Sequence, residues 1–198
     1  MTGTNGTDRS GTDGPSTDGG TPSVAARDDL AGVVDLFGWL TRAELSHALS
    51  ELAYKQRAEV DDDAIAAAID VAVAEYALVP APPEALAADG DASPTAADPD
   101  DGLDADDVAL AVGPAAFPSL PADAEDLPHI LDVPDRDVDR ERLSEAVLER
   151  LSADAVDAIS ESDADRLEVL ADVTYDIEAW APVDATAIRD QIVAEFDG

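Results

Sequence analysis

The sequence contains no cysteine, a single lysine and few aromatic residues. Of its 198 residues, 11 are Lys or Arg and 46 are Asp or Glu, and Lys55 is the one lysine. The absence of cysteine excludes disulfides, thiolate nucleophiles and Cys-ligated zinc. No apolar run approaches the roughly 18 residues of a membrane-spanning helix, and no basic, apolar leader is recognisable. We therefore expect a cytoplasmic protein without membrane contact.

The formal net charge is −35, whereas a small domain commonly carries a charge of magnitude about 2–8. Self-repulsion of this size opposes the compact state in dilute salt. It is largely screened near 1 M salt, where the Debye length is ~3 Å. Because the acidic residues occur in periodic segments as well as in tails, we favour a halophilic protein, with hydrated salt cations around it, over a generic acidic, partly disordered interaction protein.

Composition divides the chain into three regions. Residues 1–26 are mostly Thr, Gly, Asp, Ser and Pro, too polar to offset chain entropy, and predict a disordered tail. Residues 82–107 contain eight Asp and no basic residue, which predicts a disordered acidic insertion within a unit spanning 27–117. Residues 118–198 should form an extended strap followed by C-terminal helices.

Apolar periodicity predicts three helices in the unit spanning 27–117. Their buried faces recur at helical spacing and comprise Leu30, Val33, Val34 and Phe37; Leu45, Leu49 and Leu52; and Ile65, Ile69, Ala72 and Tyr76. Thr41 and Glu44 have the spacing of a capping box. Asp61–Asp63 places negative charge at the start of the third helix, where the helix dipole favours it.

Two short apolar runs follow the third helix. YALVPA (76–81) and VALAVGPAAF (108–117) flank the acidic insertion and can pair as a hairpin. Three helices and a hairpin are the order of a winged helix-turn-helix, and a plain three-helix bundle with an irregular tail is the alternative. We therefore predict a mainly α protein, with a winged-helix-like N-terminal unit packed against a C-terminal helical unit.

The C-terminal region begins with a proline-punctuated segment. Its apolar residues, including Leu127, Ile130 and Leu131, predict an extended strap that docks on the core. Three further helices are predicted from the apolar stripes at Leu143–Ile159, Leu167–Ile177 and Ile188–Phe196. Pro182 separates the second of these helices from the third.

Three segments carry a resemblance to a known family. DLAGVVDLFGWLTRAELSHALSELAYK, FPSLPADAEDLPHILDVPDR and LADVTYDIEAWAPVD resemble a family of uncharacterised haloarchaeal proteins, a domain of unknown function. The resemblance covers about residues 28–195, without the tail and the acidic insertion. It implies a haloarchaeal source and a cytosolic setting, but no activity and no functional residue.

DNA binding is the first functional hypothesis that a winged helix raises. Non-specific affinity for DNA depends on Lys and Arg that neutralise phosphates, yet residues 61–107 contain fourteen acidic residues and no basic one. The candidate contacts are Arg42, Lys55 and Arg57. They outnumber the acidic residues of segment 41–58 by one, so we do not expect a nucleic acid partner and keep a DNA-binding transcriptional regulator as the alternative.

A non-catalytic protein-interaction or regulatory-adaptor module fits the sequence better. Trp39 and Trp180 are the candidate interface residues, because large aromatics commonly anchor interfaces, although at 4% aromatic content most such residues are expected in the core. DPDDGLDADD has its glycine at the wrong position for an EF-hand loop. His47 and His129 lack a recognisable nucleophile; pairing of His129 with Asp126 or Asp132 is the acid–base arrangement that the sequence allows. We thus predict no catalytic residue, no metal site and no cofactor.

Overall fold

The computed structural model describes residues 24–58, 60–88, 102, 105–131, 133 and 136–196. This part of the chain is mainly helical and also contains five short strands. The helices are α1 Val24–Asp35, α2 Arg42–Lys55, α3 Asp62–Ala74, α4 Leu127–Leu131, α5 Arg140–Glu161, α6 Ala164–Trp180 and α7 Thr186–Phe196. The strands are β1 Trp39–Thr41, β2 Leu78–Pro80, β3 Leu86–Ala88, β4 Ala109–Val112 and β5 Arg136–Val138.

Helices α1–α3 and an antiparallel sheet form a winged-helix-like unit. The predicted hairpin is confirmed, because β2 pairs with β4 in a register that places Leu78 opposite Val112. Strand β1 was not predicted; it lies between α1 and α2 and pairs with the other edge of β4, so the sheet order is β1-β4-β2. Helix α1, strand β1, helices α2 and α3, and the β2–β4 hairpin follow one another in winged-helix order.

The sheet separates two hydrophobic cores. Successive side chains of a strand point to opposite faces. Leu40, Leu78 and Leu110 therefore face α1–α3, whereas Trp39, Val79 and Ala111 face α5–α7. The sheet is the middle layer of three, and it joins the winged-helix-like unit to the C-terminal helices.

A second sheet changes the predicted limits of the acidic insertion. Residues 82–88, which we assigned to that insertion, instead form a 3₁₀ turn, Pro83–Ala85, and strand β3. Strand β3 pairs antiparallel with β5, so that Leu86 lies opposite Val138. Of the remainder of the predicted insertion, residues 102 and 105–107 are described, and Asp106 and Asp107 form a turn before Val108, whereas residues 89–101 and 103–104 lie outside the described residues.

The predicted strap is only partly extended. It contains a 3₁₀ turn, Ala124–Asp126, which leads directly into α4. Leu127 is fully buried against the N-terminal core, as predicted, whereas Ile130 is exposed, contrary to the prediction. One turn of helix presents only one side to the core, and that side carries Leu127.

Local helix signals agree well with the structure. Thr41 and Glu44 form the capping box of α2, and Asp61 caps α3 by accepting from the Ala64 amide at 2.7 Å. The four residues of the first predicted stripe are all buried, although α1 ends at Asp35 and Phe37 lies in the turn that follows it. This helix begins at Val24, within the span predicted as a tail, and residues 1–23 of that tail lie outside the described residues.

Gly38 occupies a close contact between β1 and β5. Its φ is +80°, and a Cβ there would lie 2.0 Å from the Arg136 carbonyl oxygen. A left-handed conformation alone costs a non-glycine residue about 1–2 kcal/mol. We expect Gly38→Ala to lower the free energy of unfolding in urea by at least about that amount, because the collision adds to the strain. Unchanged stability would contradict this expectation and would show that the backbones at Gly38 and Arg136 can separate without a measurable cost.

Candidate functional surfaces

Helix α3 holds the position of a recognition helix in the winged-helix-like unit. Its sequence, DDAIAAAIDVAVA, contains no side chain with a hydrogen-bond donor at neutral pH. Ile65 and Ile69 are buried, while Asp63, Ala67 and Asp70 are exposed. Direct readout of a base edge usually uses Arg, Lys, Asn or Gln. The outward face of α3 therefore offers alanine methyl groups and carboxylates instead.

The three predicted nucleic-acid contacts have different environments. Arg42 is buried, with a relative exposure of 8%, and its guanidinium pairs with Asp70 of α3. Lys55 Nζ lies 3.0 Å from Asp126 Oδ2, so it links α2 to the strap. Arg57 is exposed just after α2, with a φ of +56°. The structure thus places Arg57 alone on an open surface and does not group the three cations.

Glu44 and Arg136 form a bidentate ion pair at the junction between the two sheets. Arg136 donates to both carboxylate oxygens at 2.6 and 2.7 Å, and its guanidinium stacks 3.9 Å from the centroid of the Trp39 ring. Burial acts to raise the pKa of Glu44, but the hydrogen bonds from Arg136 and from the Thr41 amide outweigh it and lower this pKa. Glu44 therefore caps α2 and also binds Arg136 of strand β5 in the second sheet.

A polar cluster links α3 to the C-terminal helices. Tyr76 donates its hydroxyl hydrogen to Asp154 at 2.8 Å, and Arg166 donates to the same carboxylate oxygen at 2.7 Å. Burial raises the pKa of Tyr76 far above its ordinary value, so its hydroxyl stays protonated. Arg150 and Arg166 also donate to the carbonyls of Val73 and Ala74, respectively. Two cations from the C-terminal unit thus satisfy the carbonyl end of α3.

The scarce basic residues are used mainly inside the fold. Apart from Arg57, each one in the described part of the chain contacts a carboxylate, a carbonyl or an aromatic ring of another described residue: Arg27, Arg42, Lys55, Arg136, Arg140, Arg142, Arg150, Arg166 and Arg189. Few cations are left to balance the acidic residues outside, and the outer surface is consequently anionic.

This charge distribution predicts that salt stabilises the fold. Burial, and after it the charge of Asp172, raises the pKa of Asp176, so the ionised form of Asp176 opposes folding at neutral pH, and salt screens the part of this effect that comes from Asp172. We expect the melting temperature to rise steadily as KCl increases from about 0.1 M to about 1 M, because the Debye length falls from ~10 Å to ~3 Å. Circular dichroism at each concentration measures this. A melting temperature that stays constant or falls would contradict the expectation.

The two candidate interface tryptophans differ in accessibility. Trp39 is 2% exposed and donates from Nε1 to the Ala87 carbonyl at 3.1 Å. It is a core residue, and the prediction of an interface role is corrected. Trp180, at the end of α6, is half-buried against the C-terminal core, and the Arg140 guanidinium lies 4.9 Å from its ring centroid. Among the described residues, the most exposed large apolar side chains are instead Tyr54 at 82% and Phe117 at 79%.

Neither histidine joins a group with a chemical role among the described residues. His47 and His129 are both exposed. Of the two proposed partners of His129, Asp126 pairs with Lys55, and Asp132 lies outside the described residues. In the part of the chain that the structure describes, no three His, Cys, Asp or Glu residues converge in a way that could hold a metal ion. The described helices include none with the length and apolar character to span a bilayer.

An apolar groove beside α5 was not singled out from the sequence. It has a volume of about 710 Å³ and lies between α5 and the start of α7. Leu148, Val156 and Ile188 contribute apolar surface to it. The sequence analysis placed Val156 in the buried stripe of this helix (Leu143–Ile159), but its side chain is 54% exposed and lines the groove instead.

Comparison with known proteins gives a family and no activity. No curated protein and no solved structure matches the chain. The match to a family extends over both structural units and over the connection between them. A family model described as a family of unknown function, DUF7109, matches residues 28–197, and the chain therefore belongs to this family.

Proposed function

We propose that this protein is a non-catalytic protein-interaction or regulatory-adaptor module of a salt-rich cytoplasm. The observation that carries the proposal is the outward face of α3, where a winged-helix protein commonly reads DNA. Here that face presents Asp63, Ala67 and Asp70. The proposal includes the haloarchaeal source and the cytoplasmic location that the resemblance implies.

The use of cations supports a protein partner over nucleic acid. Binding to DNA gains most of its non-specific free energy when Lys and Arg neutralise phosphates and release counterions. Arg42 is withdrawn into a pair with Asp70, and Lys55 is held by Asp126. Recruiting these two cations to a phosphate would require breaking intramolecular ion pairs, and the neighbouring carboxylates would repel the same phosphate.

The alternative, a DNA-binding transcriptional regulator, is favoured by topology alone. The sheet order β1-β4-β2 and the helix order match a winged helix, but a fold does not assign a function by itself. Of the three predicted contacts, Arg57 is the exposed cation from which such a regulator would have to build its interface.

The test is affinity capture by the full chain in a lysate of the source organism, at molar and at about 0.15 M KCl, with and without nuclease. We expect a small set of proteins to be retained in near-stoichiometric amounts. Their retention should be insensitive to nuclease and should be displaced by excess untagged protein. Retention that nuclease abolishes would favour the regulator, and capture of no protein at either salt concentration would contradict an interaction module.

A further inference from the structure

We infer that the groove between α5 and α7 is the docking site for a basic amphipathic helix of a partner protein. This inference rests on the proposed function and specifies its partner class. Helix α5 carries its core residues on one stripe, which includes Val147 and Leu151, both buried. A second stripe of the same helix lines the groove, and its Val156 remains 54% exposed.

The apolar surface of the groove has the dimensions of a helix-binding site. The lining residues of α5 run from Glu145 to Asp157, about 18 Å at the rise of an α-helix, and its large apolar members run from Leu148 to Val156, about 12 Å. Leu148 is half-buried there, and Ile188 of α7 closes the opposite side with 8% exposure. Helix-in-groove recognition needs such an apolar strip to receive anchors spaced at i, i+3, i+4 and i+7.

The rim of the groove determines the charge of its occupant. No described Lys or Arg lines the groove. Four exposed carboxylates line it: Glu145, Glu149, Asp157 and Asp184. Hydrogen bonding to the Thr186 side chain and amide lowers the pKa of Asp184, so this rim carboxylate ionises readily. Lys and Arg flanking the apolar stripe of a partner helix would complement this rim, which directs association and fixes orientation.

Other occupants fit the groove less well. A second copy of the chain would bring two sets of rim carboxylates together without a compensating cation. Segment 1–23 of the chain itself has Met1 as its one large apolar residue and Arg9 as its one cation, too few to fill and neutralise the groove. Nucleic acid would place phosphates against carboxylates.

The test uses designed peptides of about 15 residues, long enough to span the groove. The first has a Leu stripe flanked by Lys, the second has Glu in place of every Lys, and the third is a scrambled form of the first. Their affinities for the full chain are measured by fluorescence anisotropy at the lowest KCl concentration at which circular dichroism shows the fold intact. We expect the Leu/Lys peptide to bind at least tenfold more tightly than either of the others.

Paired variants locate the binding site. Val156→Ser should weaken binding of the Leu/Lys peptide about tenfold, whereas Val169→Ser, on α6 outside the groove, should not. The double variant Glu145→Gln/Glu149→Gln should weaken it several-fold, whereas Glu168→Gln/Asp172→Asn removes the same charge at the same spacing from α6 and should have little effect. All four substituted side chains of the double variants are exposed, so the fold should persist.

Three outcomes would overturn the groove assignment: equal binding of the ordered and scrambled Lys peptides, equal effects of the groove and α6 variants, or no peptide binding. The first two would indicate unspecific attraction to an anionic surface. None of the three decides the proposed function, because affinity capture would still report a partner held elsewhere on the protein.

Discussion

Replacing Trp39 by alanine is expected to lower the free energy of unfolding by about 3–5 kcal/mol, the usual cost of truncating a large buried aromatic side chain. Trp39 lies between the sheet and the C-terminal helices and is 2% exposed. The change would also remove the hydrogen bond to the Ala87 carbonyl and the stacking of Arg136 on the indole ring. Urea unfolding at molar KCl, followed by circular dichroism, measures the loss.

Trp180→Ala provides the comparison for the Trp39 variant. Trp180 is half-buried at the end of α6, so its truncation removes less contact and should cost less than half as much. Equal losses for the two variants would contradict the assignment of Trp39 to the contact that joins the two units. A loss below about 1 kcal/mol for Trp39→Ala would contradict it as well, because surface substitutions have effects of that size.

Asp154→Ala is expected to lower the free energy of unfolding by about 2–4 kcal/mol. Breaking a fully buried ion pair costs about 3–5 kcal/mol, and this pair is only partly buried. Asp154 accepts from Tyr76 and Arg166, and the side chains of Asp154 and Arg166 are 27% and 25% exposed. Without the carboxylate, the Tyr76 hydroxyl and the Arg166 guanidinium lose a shared acceptor. Chemical unfolding at molar KCl measures the difference.

The matched control is Asp157→Ala, one turn further along α5 on the exposed side. Both variants remove one negative charge from a chain of net charge −35, which by itself should relieve repulsion. We therefore expect Asp157→Ala to be neutral or slightly stabilising. If Asp154→Ala behaved in the same way, the cluster would contribute nothing to the attachment of the C-terminal unit.

Local signals in the sequence were sufficient for most helices. A capping box needs only residues three apart, and Thr41 and Glu44 form it as predicted. Apolar periodicity likewise identified the buried face of α1, because Leu30, Val33 and Val34 belong to one helix, and Phe37 is buried just after its end. Membership of an uncharacterised family was also predicted from short segments and is confirmed over residues 28–197.

The strands beyond the hairpin could not be predicted from local pattern. Strand β1 has three residues, Trp39–Thr41, and β5 likewise has three, Arg136–Val138. Each is shorter than the alternating runs that identify a strand, and each is defined by a partner distant in sequence. Strand β3, Leu86–Ala88, is also only three residues long. Its sequence, LAA, is equally compatible with a loop in an acidic, alanine-rich segment.

The contacts of the cations were the least predictable part of the candidate site. Arg166 reaches the Ala74 carbonyl across 92 positions of sequence, and Arg136 reaches Glu44 across the same separation. Sequence spacing indicated only that Arg42, Lys55 and Arg57 lie close together along the chain. It could not show that Arg42 turns inward to Asp70 while Arg57 remains on the surface.

The most direct test of the account is the binding of the full chain to labelled random-sequence duplex DNA. Fluorescence anisotropy is recorded as KCl falls from molar values, with circular dichroism reporting the fold at each step. We predict no binding wherever the protein remains folded, because its described cations other than Arg57 are engaged within the structure. Binding that strengthens as salt falls, and that Lys55→Glu/Arg57→Glu abolishes, would contradict a protein-interaction module and establish a DNA-binding surface at the end of α2.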